Sequence, residues 1–326
     1  MEKGELNMSQ ALNWGIIGLG EIAAAFAENL KENGKNIYGV AARDEDRAVK
    51  FAEKHGIKQA YSSYDGLLSD QAIDIVYIAS INSQHFQLIK QSLENGKHVL
   101  CEKAIWHDYG ELLELEKLAK ERKLILAEAM TIYHMPLMEK LKTLIAEGAI
   151  GKLQSVQADF GSLKEDDPTN RFFSKEKGGG AMLDIGIYAL SFLSFFIEGK
   201  AAEIQEVQIP YSKTGVDERW NIGMVTDKDI LATATLSFRS KLPKRALIAG
   251  DEGYIEIYEY PRADKAVLVK PDGSKETIAA GESRNALYYE ASHMEEAIAK
   301  QDSGLVYFEL TKQTIFWIDG LLSRHF

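Results

Sequence analysis

"NWGIIGLGEIAAAFAENLKENGKNIYGVAARD" (residues 13–44) decides the fold. An apolar run breaks at Gly18, a helical pattern runs from Glu21 to Gly34, and a second β-rich run follows. Strand, helix and strand at this spacing form a βαβ unit, whose two strands lie parallel. Within it Gly18, Gly20 and Ala23 stand in a G-x-G-x-x-G/A arrangement where the first strand meets the helix. Gly18 allows a tight turn, Gly20 lets a pyrophosphate approach the backbone, and Ala23 permits close helix-to-strand packing. The helix N-terminus then offers amide donors to the phosphates. Glu21 and Ile22, the next residues of the turn, join the expected cofactor surface.

Outward from this unit the alternation continues. "IDIVYIAS", "KHVLCEK" and "LILAEAM" read as further strands, separated by helical patterns such as "SQHFQLIKQSLENG" and "DYGELLELEKLAKERK". Continuous apolar strands between helices imply a parallel, doubly wound Rossmann sheet over residues 11–130. The pattern ends near residues 129–136, and "PLMEKLKTLIAEGAIG" reads as a connecting helix. Beyond it, "LQSVQADF", "AEIQEVQIP", "ILATATLSF", "ALIAG", "GYIEIYE" and "AVLVK" alternate in polarity, as strands of an antiparallel sheet with one covered face do. Helices expected at about 179–197, 285–300 and 305–323 would cover it. The expected architecture is therefore α/β: an N-terminal Rossmann domain, then an α+β domain at 131–326 with a large, mostly antiparallel open sheet. Residues 1–10 read as a flexible, polar N-terminus, with Met8 as an alternative start.

Composition narrows the functional classes. A chain of 326 residues with 45% hydrophobic and 27% charged residues is long enough for two cores. Its net charge of −11 argues against nucleic acid and anionic membranes as partners. The single cysteine, Cys101, excludes an internal disulfide framework and suits a reducing compartment, so the cytoplasm is expected. The start carries no secretory pattern, and "ALSFLSFFI" is too short to span a bilayer. Seven histidines lie without ligand spacing, so no metal is expected.

Two strand ends carry chemistry. The second strand closes on "GVAARD", where a carboxylate would accept from the ribose of NAD and an arginine would accommodate the phosphate of NADP. Ala42 leaves room and Arg43 supplies charge, which favours NADP(H); Asp44 next door keeps NAD(H) open. "HVLCEKAIWHD" ends an apolar strand on Glu102 and Lys103, and strand ends of this kind face the ligand crevice. The alternative for Lys103 is a solvated loop charge. Cys101, inside the apolar strand, reads as structural.

"GLGEIA", "YIASINSQHFQLIKQSLENGKHVLCEKA" and "GGGAMLDIGIYAL" together resemble the glucose-fructose oxidoreductase/inositol dehydrogenase (Gfo/Idh/MocA) family over essentially the whole chain. In that family the lysine of a Glu-Lys-Pro motif contacts the reacting oxygen and the nicotinamide region; Glu102 and Lys103 match it, with Ala104 in place of the proline. The resemblance also implies that the loop with Ser80, Asn82 and His85 runs past the ribose and nicotinamide, although His85 reads equally as a structural residue at a helix start. Many relatives carry Asp-x-x-x-His where this chain has Asp184 and Tyr188. The tyrosine version resembles the dimeric dihydrodiol dehydrogenase and aldose dehydrogenase branch, in which tyrosine transfers the proton.

At i and i+4 of a helix Asp184 and Tyr188 share a face. Read without the resemblance they are either a solvated acid and a core aromatic or a pair facing a cleft. With it, Tyr188 is the general acid/base, Lys103 its electrostatic partner and Asp184 the orienter. A free phenol titrates near pH ~10, so a neighbouring cation is needed to favour the phenolate. Asn170 and Arg171 either reach substrate hydroxyls or are solvated loop residues. The expected function is an NAD(P)-dependent oxidoreductase of a sugar, polyol or vicinal diol. The alternatives are a non-catalytic dinucleotide-bound sensor and a group-transfer or hydrolytic enzyme with an internal redox cofactor. The resemblance further implies a homodimer or higher even homo-oligomer.

Overall fold

The computed structural model describes residues 11–324, so the expectation for residues 1–10 lies outside the described residues. The first half runs β1 (Trp14–Ile17), α1 (Glu21–Glu32), β2 (Ile37–Ala41), α2 (Glu45–His55), β3 (Gln59–Tyr61), α3 (Tyr64–Ser69), β4 (Ile75–Ile78), α4 (His85–Glu94), β5 (His98–Glu102), α5 (Tyr109–Glu121) and β6 (Leu126–Ala129). Its six strands form one parallel sheet in the order β3-β2-β1-β4-β5-β6. The strand order reverses between β1 and β4, and the crevice beyond their C-terminal ends is where such a sheet binds ligands. The sequence reading missed β3 and α3. At three residues, with its middle residue exposed, β3 carries no apolar run to read.

The second half runs α6 (Thr131–His134), α7 (Pro136–Ala146), β7 (Leu153–Gly161), α8 (Ile187–Phe196), β8 (Ala201–Pro210), β9 (Asp217–Thr226), β10 (Leu231–Ser237), β11 (Arg245–Gly250), β12 (Gly253–Tyr258), β13 (Lys265–Val269), β14 (Lys275–Ala279), α9 (Ala286–Lys300) and α10 (Phe308–Leu322). Eight strands lie in the order β14-β13-β12-β11-β7-β10-β9-β8. Only β7 and β10 run parallel among these neighbours. One face of this sheet is covered by α8, which itself packs on α10. The other leaves Val207 66% exposed, Leu231 58% and Tyr258 56%.

The chain then returns to the first sheet. Leu287, Ala291, Met294 and Ala297 of α9 share one core with Trp14, Phe26, Tyr77 and Leu100. The Trp14 indole donates to Glu295 Oε1 at 2.8 Å, and Lys35 pairs with Glu295 Oε2 at 2.5 Å.

The expected helix at 179–197 is differently built. A π-helical turn, Met182–Gly186, precedes α8, and Gly178 and Gly180 stand at φ +70° and +122° outside any helix. A β-carbon on Gly180 would lie 2.1 Å from Asp217 Oδ1, so only glycine fits this approach. The run Lys175–Phe196 is long and apolar enough to cross a membrane by length and composition, which the shorter stretch quoted above did not suggest. Within the protein 83% of that window is buried.

Candidate active site

The glycine turn is built for close approach. Gly18 has φ +88°, and a β-carbon there would lie 2.6 Å from the backbone of Ala79 at the end of β4. Nothing lies within 4 Å of the equivalent position on Gly20, which opens onto a groove of about 990 Å³. Glu21, Ile22, Ala42, Arg43 and Ser80 also line that groove. Amides at the N-terminus of α1, where Gly20 is the cap, are the donors that a pyrophosphate requires. Residues and cavity thus fit a dinucleotide.

At the β2 tip, Asp44 caps α2, its Oδ1 accepting from Arg47 N at 3.3 Å. Arg47, absent from the sequence reading, lines the groove and donates from Nη2 to Leu19 O at 2.6 Å. It stands in the first turn of α2, four residues after Arg43, and both line the groove.

The groove continues into a smaller cavity of about 210 Å³ through shared walls of Ile22, Ser80, Arg171 and Phe172. Asn82, Glu102, Lys103, Asp184 and Tyr188 converge there. Lys103 directly follows β5, and its Nζ donates to the Asp184 carbonyl at 2.9 Å and lies 3.4 Å from Asp184 Oδ1. The same Nζ stands 4.8 Å from the centroid of the Tyr188 ring. Burial disfavours its charge, but Tyr188, Asp184 and Glu102 outweigh that effect and raise its pKa. Burial pushes the Tyr188 phenol up, against the opposing pull of Lys103.

The turn after Lys103 is fixed from several sides. The Lys103–Ala104 peptide bond is cis, with alanine where the family motif has proline. Ile105 N donates to Glu128 Oε1 at 3.0 Å, and Glu102 accepts from the Tyr77 hydroxyl. His85 is fully buried, with Nδ1 2.9 Å from Ala104 O and Nε2 3.1 Å from Ser80 O. Of the two readings of His85 left open above, the geometry favours the structural one: it lines neither cavity, and joins the β4 loop to the β5 turn from behind. Burial keeps it neutral by lowering its pKa.

Asp184 sits in the π-helical turn. Burial opposes its charge, but Lys103, Lys164 and Arg171 prevail and hold the carboxyl below its usual range. Lys164, unremarked in the sequence, places Nζ 3.4 Å from Asp184 Oδ2. Arg171 lines both cavities, whereas Asn170 lines neither and accepts locally from Phe172 N at 3.2 Å. Phe172 was also missed; it lines both cavities, with Lys164 Nζ at 3.5 Å and Arg171 Cζ at 4.2 Å from its ring centroid. Cys101 is fully buried, and burial raises its thiol pKa, as a structural cysteine requires. Among the described residues no group of three or more His, Cys, Asp or Glu is placed to hold a metal.

Comparison with known proteins adds an independent line. Residues 12–130 match the family model described as "Oxidoreductase family, NAD-binding Rossmann fold", and residues 138–256 match "GFO/IDH/MocA C-terminal domain". Trans-1,2-dihydrobenzene-1,2-diol dehydrogenase from Xenopus laevis is 31% identical over 299 residues, covering 89% of this chain and 90% of the relative. The enzyme of that name from Sus scrofa is 33% identical over 301 residues, covering 89% of each. Among solved structures, a levoglucosan dehydrogenase in complex with NADH and levoglucosan superposes with a TM-score of 0.84 at 19% identity, covering 96% of this chain and 98% of that one. A 3-ketoreductase from Actinomadura kijaniata, in complex with TDP-benzene and NADP, gives 0.83 at 22%, covering 95% and 96%.

Proposed function

The chain belongs to the GFO/IDH/MocA family and is an NAD(P)-dependent oxidoreductase, and from that premise we propose that it uses NADP(H) on a sugar, polyol or vicinal diol with Tyr188 as acid/base. One observation carries the reading: Lys103 reaches Asp184 at 2.9 Å and the Tyr188 ring at 4.8 Å, beside a cavity continuous with the dinucleotide groove. Bound in the groove, the nicotinamide would exchange a hydride with the alcohol or carbonyl carbon.

The chain's own groups handle the proton. In oxidation Tyr188 as phenolate takes the hydroxyl proton, and in reduction its phenol returns it. Lys103 stabilises the phenolate and, with Asp184, orients the substrate hydroxyl. Glu102, held by Tyr77, keeps the lysine at the strand end.

Arg43 and Arg47 flank the β2 tip while Asp44 is engaged as a helix cap, which supports NADP over NAD. A neighbouring cavity of about 350 Å³ shares Asn82, Gly178, Gly179 and Leu183 with the small one. Its walls of Trp106, Val216 and Leu322 leave room for an apolar substituent beyond the reacting carbon. The sheet face bearing Val207, Leu231 and Tyr258 supports pairing of two copies. A cytoplasmic location agrees with the lone buried cysteine.

The test is turnover of aldoses, polyols and cyclic vicinal diols with NADP and NAD, for the wild type and Tyr188→Phe. The expected result is a fall in kcat of about 10²–10⁴-fold with cofactor affinity preserved. Unchanged turnover would remove Tyr188 from the proton-transfer role.

A further inference from the structure

Asp184 presents a difficulty for its own site. A carboxylate pressed against Lys103 cancels the field that Lys103 is needed to exert on Tyr188. The structure answers with a second cation. Oδ1 faces Lys103 Nζ at 3.4 Å and Oδ2 faces Lys164 Nζ at 3.4 Å, so one carboxylate is shared between two lysines. The triad carries a net charge of +1 instead of zero.

Lys164 is held for this task. Its backbone continues the β7–β10 ladder, with Ser162 N donating to Ser237 O at 2.9 Å and Lys164 N to Phe238 O at 3.0 Å. Its ammonium rests on the rings of Phe172, at 3.5 Å, and Phe238, at 5.3 Å. Aromatic faces favour the cation without neutralising it. The side chain is 15% exposed and lines neither the groove nor the small cavity, so it acts from behind Asp184.

We propose that Lys164 is a positioning residue for proton transfer: it fixes the second oxygen of Asp184 and preserves the positive field of Lys103 at the Tyr188 hydroxyl. This rests on the acid/base reading of Tyr188. The other charged or titratable groups acting on Tyr188 are Glu102 and Lys103 at the end of β5, Arg262 and Tyr260 in the turn after β12, and Asp184 on its own helix. Arg171 adds a third cation toward Asp184. Removing Lys164 deletes a positive charge and unmasks a negative one, and both changes hold the phenol proton more tightly.

The experiment compares Lys164→Gln, which keeps a hydrogen-bond donor without charge, with Lys164→Arg, which keeps the charge. The titration of Tyr188 is followed by ¹³Cζ-tyrosine NMR in the complex with oxidised NADP, its signal identified by loss in Tyr188→Phe. The pH profile of kcat/KM for alcohol oxidation is recorded beside it. In Lys164→Gln the Tyr188 titration moves up by about one pH unit, and the rising limb of the profile moves with it. Lys164→Arg returns both toward wild type. A Tyr188 titration unmoved in Lys164→Gln overturns the proposal, whatever happens to the rate. A titration that moves while the rate profile stays fixed upholds the role of Lys164 on the phenol and removes Tyr188 from proton transfer.

Discussion

At the scale of single residues, the proposed preference for NADP rests on two guanidinium groups. Arg43 and Arg47 both line the groove at the β2 tip, and Arg47 is tethered to the glycine turn through Leu19 O at 2.6 Å. A hydrogen bond to a charged group contributes about 1.5–3 kcal/mol, so Arg43→Ala with Arg47→Ala should weaken NADP binding by at least about 10²-fold. NAD, lacking the phosphate, should bind nearly as before; dissociation constants from nucleotide fluorescence titration would show the difference. Equal losses for both nucleotides would contradict the assignment. Arg43, Lys103, Asp184 and Tyr188 were legible in the sequence because each follows a motif or ends a recognisable strand. Lys164 was not, since its partner lies twenty residues on, across a turn that only the folded sheet closes. Asn170 and His85 stayed open in the sequence for the opposite reason: polar residues beside a site can serve its backbone instead of its ligand.

At the scale of elements, the entry to the helix bearing Asp184 and Tyr188 depends on a carboxylate from another strand. Asp217, at the start of β9, accepts from Met182 N at 2.6 Å and from Trp220 Nε1 at 2.7 Å. It occupies the space that Gly180 leaves open. Asp217→Ala would remove the carboxylate that accepts from Met182 N and Trp220 Nε1, at a cost of about 3 kcal/mol. Thermal melting should fall by about 4 °C. Activity should fall further than stability alone explains, because the π-helical turn sets where Asp184 points. A melting temperature within about 1 °C of wild type would show that the cap is dispensable. The sequence reading passed over β9, although its alternation is present: Trp220, Ile222 and Met224 are buried and Asn221 is exposed. The charged opening "DER" masked that period. The π-helical turn left no mark, because a single extra backbone residue per turn changes no side-chain type.

At the scale of the whole molecule, buried acids join the halves. Glu128 of β6 accepts from Ile105 N at 3.0 Å and from Thr311 Oγ1 of α10 at 3.1 Å. Burial pushes its carboxyl up to about 7. Glu290 of α9, fully buried with neither oxygen partnered, is raised by burial as well. For a carboxyl whose pKa is higher folded than unfolded, the contribution to stability is complete below the unfolded value of about 4.3 and is lost as pH rises through the folded one. Glu128→Gln should therefore gain on the wild type between pH 5 and pH 8, by about 2–3 kcal/mol in unfolding free energy. Chemical denaturation at the two pH values measures it, and a constant difference would mean that Glu128 is already ionised in the fold.

The contact between Trp14 and Glu295 also bears on how the protein comes into being. The layer that α9 lays over Trp14, Phe26 and Tyr77 is translated more than two hundred residues after the first strand of the sheet it seals. On the ribosome the dinucleotide-binding half can pair its strands early, yet it waits with one apolar face bare until residues 286–300 emerge from the exit tunnel. Maturation of that half is thereby timed by the arrival of α9, and it is in that interval that the nascent chain most needs a chaperone's cover.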